Sequence, residues 1–223
     1  MKPVVGSSLV IGILSIASGC NGDDGGGNNT TPIAFEGEYV DWDSSGASFC
    51  GIFMATWTSH DDASVSDVSN PNGRIEMMLP GASRMRIDIT APAQTSECST
   101  PAGAMYAVPG IAIIDHAVFD AGGEYSARAF STTRQTAFGF DATKAQVMVH
   151  VDGTAGAVTL SGTHDATQAF NGTTWAAGDT GENVYFPNVD PSSGKATVEM
   201  PGAIGNGEVP VEAGTFTYLT ITK

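Results

Sequence analysis

Basic residues are scarce in this chain. Nine Lys and Arg stand against 24 Asp and Glu in 223 residues, a formal net charge of −15. Nucleic-acid binding depends on neutralising phosphates with Lys and Arg, so this balance excludes nucleic acid as a partner, and it argues equally against electrostatic docking on anionic lipid. Leucine and lysine are rare, and no long stretch places apolar residues at helical spacing. Cysteine occurs three times, at Cys20, Cys50 and Cys98, with no Cys-x-x-Cys unit, which removes the usual zinc and redox patterns. Also missing are a Gly-x-Ser-x-Gly elbow, a His-Glu-x-x-His helix, a His-x-His pair and a phosphate loop with its lysine. Nucleophilic, zinc-protease and nucleotide chemistry therefore lose their common signatures, and no cofactor is expected.

What is present begins at the N-terminus. Lys2 precedes an uncharged run whose apolar part, Leu9 to Ile16, is too short to span a bilayer as a lasting helix. Ala17-Ser18-Gly19-Cys20 then resembles the bacterial lipobox, in which the cysteine is lipidated and becomes the first mature residue; the usual leucine of its first position is Ala17 here. That resemblance predicts a signal peptide over 1–19 and a membrane anchor through lipid on Cys20, stable because several acyl chains share one cysteine. Losing Lys2 with the signal leaves the mature chain more acidic by one charge. Residues 20–32 are Gly, Asn, Asp and Thr with nothing to bury, so they read as the lipidated cysteine and a flexible linker. The expected location is the bacterial cell envelope, on an extracytoplasmic face. In that oxidising setting Cys50 and Cys98 read as a disulfide, and a closed loop of about 47 residues would add roughly 3–4 kcal/mol. Metal ligation is the other reading of the pair.

From Ile33 onward the pattern is period two. Met85, Ile87 and Ile89 alternate with charged residues, and the same rhythm runs through Val147 to Val151, Ala157 to Leu160, Ala196 to Met200 and Phe216 to Ile221. Turn residues punctuate it. Asn70-Pro71-Asn72-Gly73 precedes the strand Arg74 to Leu79, which Pro80-Gly81 closes; Asp190-Pro191-Ser192-Ser193-Gly194 precedes Lys195 to Met200, which Pro201-Gly202 closes. One design used twice predicts an all-β chain of tandem antiparallel β-sandwiches, with little or no helix. The first sandwich covers 33–100 and the second 144–223. Residues 101–143 connect them with strands of uncertain allegiance, within Tyr106 to Phe119 and Tyr125 to Phe140.

Three segments resemble the carboxypeptidase regulatory-like, transthyretin-like β-sandwich family: the opening Gly37-Glu38-Tyr39-Val40-Asp41, the turn Ser66 to Ile75, and Leu79-Pro80-Gly81. The second half follows the same plan more loosely. The family's Pro-Leu-x-Gly-Ala turn is not recognisable between Ser44 and Phe49, and the shared motifs record turn geometry, so the resemblance implies a fold and no reaction. Intradiol dioxygenases share that architecture and hold iron with closely spaced His and Tyr ligands; the spacing is lacking here, and their activity is not carried over.

Candidate site residues are few. His60-Asp61-Asp62 and His164-Asp165 fall near predicted turns and are the metal-ligand candidates, while His116 and His150 sit in apolar surroundings as core histidines. Asp61, Asp62, Asp67 and Asn70, and separately Asp179, Glu182, Asn188 and Asp190, offer oxygen ligands of the kind calcium takes, without a regular calcium loop. Trp57 lies in an apolar strand and reads as core; Trp42 and Trp175, in polar sequence, are the candidates for ligand stacking. The sequence thus predicts a non-catalytic, envelope-anchored binding or display module that contacts a protein or glycan through loops and sheet edges. The alternative is a metal-binding protein or small metal-dependent enzyme built on the histidine and carboxylate turns.

Overall fold

The structure is a computed structural model that describes residues 32–41, 50–81, 83–90, 109–123 and 125–223. Cys20, Trp42 and Cys98 lie outside the described residues, so the lipid anchor, one stacking candidate and the disulfide are not described by it. Of the pair expected to be bridged, only Cys50 falls in a described strand, where its backbone pairs with Asp41.

The chain is all-β, as the alternation predicts, with two short α-helices and one 3-10 turn among the described residues. The strands are β1 (Ile33–Asp41), β2 (Cys50–Gly51), β3 (Thr56–Ser59), β4 (Ser66–Val68), β5 (Arg74–Leu79), β6 (Arg84–Thr90), β7 (Gly110–Asp115), β8 (Tyr125–Ala129), β9 (Ala145–Asp152), β10 (Thr159–Leu160), β11 (Gln168–Phe170), β12 (Trp175–Ala177), β13 (Asn183–Val189), β14 (Lys195–Glu199), β15 (Gly207–Pro210) and β16 (Phe216–Thr222). Helix α1 (His116–Asp120) follows β7, and α2 (Thr132–Ala137) follows β8. Among the described residues they build three sheets. The first has the order β2-β1-β5, with β8 added to β1; the central one runs β12-β11-β13-β9-β16-β7-β6-β3-β4; the third is β10-β14-β15.

The central sheet buries both faces. On β7, Ala112 and Ile114 join one core cluster while Ile111 and Ile113 join the other; on β9 the split is Met148 against Val147, Val149 and Val151; on β16 it is Phe216 and Tyr218 against Leu219 and Ile221. Alternate residues point to opposite faces of a strand, so the first sheet covers one face and the third sheet covers the other. The sandwich-type class expected from the sequence is thus present, but its layers meet differently from two sandwiches in series. Strands from both halves of the chain share the central sheet, and the segment expected to connect two units supplies β7 to its middle and β8 to the first sheet. Purely antiparallel pairing is also corrected. β16 pairs parallel with both β7 and β9, and β1 pairs parallel with β8. Parallel neighbours need long crossovers, and these exist here: α1 to β15 lie between β7 and β16, β10 to β15 between β9 and β16, and β2 to β7 between β1 and β8.

Turn chemistry fixes the strand ends as read. Asn70 Oδ1 accepts from the Asn72 and Arg74 amides at 2.9 and 3.0 Å. Gly73 turns with φ +79°, and a Cβ there would lie 2.1 Å from the Tyr39 carbonyl oxygen, so β1 and the turn meet only over a glycine. Asp190 caps the Ser192 amide at 3.0 Å before Gly194 enters the left-handed region.

Candidate ligand cleft

Strand β1 presents Phe35 and Tyr39 to the core, which leaves Glu36 and Glu38 on its outer face. Its parallel partner β8 buries Tyr125, Ala127 and Ala129, and carries Ser126 and Arg128 on the alternate side. Among the described residues β8 has a strand neighbour on one side only, which makes it an edge of the first sheet. Against it comes the end of β9, where His150 and Asp152 follow Met148 on the same face. Glu36, Glu38, Ser126, Arg128, His150 and Asp152, with Arg74, Phe119 of α1 and Gly123, line a cleft of about 550 Å³. A Cβ on Gly123 would meet Val118 at 2.6 Å and the Asp152 carboxylate at 3.3 Å, so glycine lets the loop close down beside that carboxylate.

Polar groups order the cleft from below. Arg128 is 8% exposed and sets Nη2 3.3 Å from Glu182 Oε1. Burial pulls its guanidinium below its usual pKa, and Glu182 and then Glu38 oppose the shift. The Asn183 side-chain amide donates to Glu182 at 3.4 Å, which assigns its Oδ1 to His150 Nδ1 at 3.2 Å. His150 therefore carries its proton on Nδ1 and keeps Nε2 as an acceptor. Burial, then the Arg128 charge, hold the imidazole below its ordinary pKa against the Asn183 bond, Glu182 and Asp152, so it is neutral near pH 7. Arg74 is engaged by Glu36 at 2.6 Å and Glu76 at 2.9 Å.

Two buried hydroxyls here have no hydrogen-bond partner among the described residues, Ser126 Oγ and Thr220 Oγ1. Thr220 is 2% exposed, is the register partner of His150 and lies on the same face of the central sheet. Buried hydroxyls are normally satisfied, so a pair of orphans beside one cleft is informative.

The candidates expected from the sequence are not brought together. His60 follows β3 near one end of the central sheet and bonds Asp88 at 2.8 Å, while His164 sits near β11 and β13 toward the other end, its Nδ1 2.7 Å from the Asp165 carbonyl. Asp62 accepts from Ser64, Asp67 from the Glu76 amide and Asp190 from Ser192, so these acids serve turns. Asn188, at φ +53°, donates to Asp165 at 2.8 Å and to the Gly139 carbonyl at 2.9 Å as part of the β13 bulge. No group of three or more His, Cys, Asp or Glu able to hold a metal occurs among the described residues. Trp57 is core, as expected. Trp175, expected on a stacking surface, packs its ring against Phe130, Phe138, Phe170 and Tyr185, because β12 lies over the aromatic side of the core. The cleft residues Ser126, Arg128 and Asp152 carry no motif. His150 was legible only as a polar residue within an apolar strand, and its register beside Thr220 is a tertiary fact.

No protein-family model matches the chain, and no curated protein matches it in sequence. Among solved structures, two crystal structures of mutants of the shaft pilin SpaA from Lactobacillus rhamnosus GG are similar at TM-scores of 0.27 and 0.25, with 9% and 8% identity. Each alignment covers 86% of this chain, and 98% and 99% of the respective pilin chain. Superpositions this loose carry no argument about function.

Proposed function

We propose that the mature chain is a non-catalytic binding module of the bacterial cell envelope, held on an extracytoplasmic membrane face by lipid on Cys20 and stapled by a Cys50–Cys98 disulfide. The observation that carries the binding role is the polar cleft at the β8 edge, where a neutral histidine, Ser126, two arginines and three carboxylates converge. Such a convergence of polar groups in a concavity is what a ligand site requires. The small-residue run into Cys20, the linker after it and the acid excess support display in solution outside the cell. A protein or glycan partner would be met at the cleft and the adjoining loops. The metal-dependent alternative draws no support from His60 and His164, which bond locally and stand apart.

Intact mass of protein from the membrane fraction of its host tests the anchor. The expected species lacks residues 1–19, carries diacyl or triacyl mass on Cys20 and gains the mass of two hydrogens on reduction. An unlipidated species overturns the anchor, and an unchanged mass on reduction overturns the disulfide.

A further inference from the structure

Asn-Gly pairs recur in the turns, at Asn72-Gly73, Asn171-Gly172 and Asn206-Gly207 among the described residues. An asparagine before a glycine is open to attack by the following backbone nitrogen, because no Cβ shields that nitrogen. The fold treats the three pairs differently. At Asn72 the attacking nitrogen is engaged: the Gly73 amide donates to the Asn70 carbonyl at 2.8 Å, and Gly73 is wedged against Tyr39 and Gly51. At Asn206 the side chain is engaged: Oδ1 accepts from the Met200 amide at 2.9 Å, and Nδ2 donates to the Met200 and Ala203 carbonyls at 2.9 and 3.2 Å. At Asn171 neither is held. The Gly172 amide and Asn171 Nδ2 make no hydrogen bond among the described residues, and both residues are exposed at the tip of the β11–β12 hairpin. No atom beyond its chain neighbours lies within 4 Å of where a Gly172 Cβ would be. Of the side chain only Oδ1 is engaged, by the Thr173 and Thr174 amides at 3.0 and 2.9 Å. Those donors sit where negative charge gathers when the side-chain carbonyl is attacked, the arrangement of an oxyanion hole.

We infer that Asn171 is a modification site, at which the folded chain converts asparagine to aspartate and isoaspartate through a succinimide. The Gly172 nitrogen gives its proton to hydroxide and bonds to Cγ. The Cγ–Nδ2 bond then breaks, and the nitrogen takes a proton from water and leaves as ammonia, which restores the hydroxide. Water adds next to one carbonyl of the ring. At Cγ it restores the ordinary backbone as aspartate; at the main-chain carbonyl carbon it leaves the chain running through the side chain as isoaspartate. Aspartate keeps an acceptor in the place of Oδ1 and so keeps the turn. Isoaspartate inserts a methylene carbon into the backbone between Phe170 and Trp175, which pair across the hairpin, and both products add a negative charge beside β12, an edge of the central sheet among the described residues. The chemistry needs no ligand and is independent of the binding role.

The test ages the purified full chain in mildly alkaline buffer, folded and in urea. The peptides holding Asn72, Asn171 and Asn206 are followed by mass spectrometry, with electron-transfer fragmentation to tell isoaspartate from aspartate. The expected result is conversion of Asn171 in the folded chain at least about tenfold faster than that of Asn72 and Asn206, a gap that narrows in urea, where the three pairs lose their different surroundings. Raising the pH should speed the reaction, since the attacking amide must lose its proton. The backbone amide shifts of Phe170 and Trp175 should stay in place in Asn171→Asp and move in aged wild type that holds isoaspartate. Conversion of Asn72 or Asn206 as fast as Asn171 in the folded chain overturns the assignment of site. Slower conversion of Asn171 in the folded chain than in urea overturns the role of the two threonine amides. Unmoved shifts in the isoaspartate form overturn its effect on the hairpin.

Discussion

The two faces of the central sheet are made by the same strands, yet they are chemically unlike. Toward the first sheet the core gathers Phe35, Tyr39, Trp57, Tyr125, Phe130, Tyr185, Phe216 and Tyr218, rings that contact one another edge to face and stacked. Toward the third sheet the core is Val, Ile, Ala, Leu and Met with one aromatic residue, Phe186. The two buried threonines of β16 differ in the same way. On the aliphatic face of β16, buried Thr217 donates to the Pro210 carbonyl at 2.7 Å and so ties the central sheet to the third. On the aromatic face, Thr220 has no partner among the described residues, nor does the indole nitrogen of Trp57. Both sides keep some unsatisfied polarity, since Arg84 on the third-sheet side leaves Nε and Nη2 without a partner among the described residues, while a cleft of about 550 Å³ opens at the edge of the aromatic side against one of about 300 Å³ on the other. Burying a polar group without a partner costs about 1–3 kcal/mol, a cost that both faces carry.

The largest break in this comparison comes from the ring at its centre. Trp57 is fully buried and touches Phe35, Tyr39 and Tyr125. Trp57→Ala is expected to cost about 3–5 kcal/mol in urea unfolding, against roughly 0.5–1.5 kcal/mol for Ile221→Val on the opposite face. Trp57→Phe should cost much less than the alanine change, since the lost indole N–H has no hydrogen-bond partner among the described residues. An alanine variant within 1 kcal/mol of wild type would show that the aromatic cluster is not a core.

Alkali separates the faces next. Burial pushes the Tyr39 phenol up to about 12, with the Tyr218 hydrogen bond opposing and Asp41 adding to the rise; Tyr125 and Tyr218 are also raised, chiefly by burial. A phenol whose folded pKa exceeds its unfolded value near 10 stabilises the fold fully below pH 10, and that contribution is lost as pH rises from 10 toward 12. For Tyr39 alone the loss approaches about 3 kcal/mol, and Tyr39→Phe should flatten that share of the alkaline slope. A melt whose pH dependence above 10 is the same in Tyr39→Phe would place this phenol in solvent.

The two threonines of β16 give a smaller and sharper test. Thr217→Val removes a hydrogen bond and strands a carbonyl, at a cost of about 1–2 kcal/mol, whereas Thr220→Val replaces an unpartnered hydroxyl by a methyl of the same shape and should be neutral or stabilising. Equal costs would mean that Thr220 is satisfied as well as Thr217 is.

Much of this fold was legible from alternation and punctuation. Arg74–Leu79, Arg84–Thr90 and Lys195–Glu199 are strands where period two placed them, and the Asn-Gly and Pro-Gly turns bound them. The central strands misled for a physical reason. A strand covered on both faces is apolar at nearly every position, so Gly110–Asp115 and Ala145–Asp152 do not announce which face meets which sheet, nor that they run parallel. Without that, the chain reads as two units in series. The cleft was hidden by the same gap, because Glu38, Ser126, Arg128 and His150 meet only once β8 crosses to the first sheet. The residues that looked chemical, His60 and His164, owe their His-Asp pattern to turns.

The gentlest prediction returns to the face that opens. His150 is held below its ordinary pKa of 6.5 by burial first and by Arg128 second, so the unfolded chain takes up the proton more readily than the folded one. Its contribution is therefore fully present above about pH 6.5 and declines as pH falls toward the depressed folded value, before the carboxylates themselves titrate. The groups facing the ring, Arg128, Asn183, Glu182, Asp152 and Thr220, come from β8, β9, β13, the loop before β13 and β16, so the effect is one of the assembled cleft. His150→Gln should keep the Asn183 hydrogen bond and remove the stability slope between pH 7 and 5.5, a loss smaller than the alkaline one because a single half-buried ring carries it. If the slope survives the substitution, the acid sensitivity belongs to the surface carboxylates, and the aromatic face differs from the aliphatic face in its phenols alone.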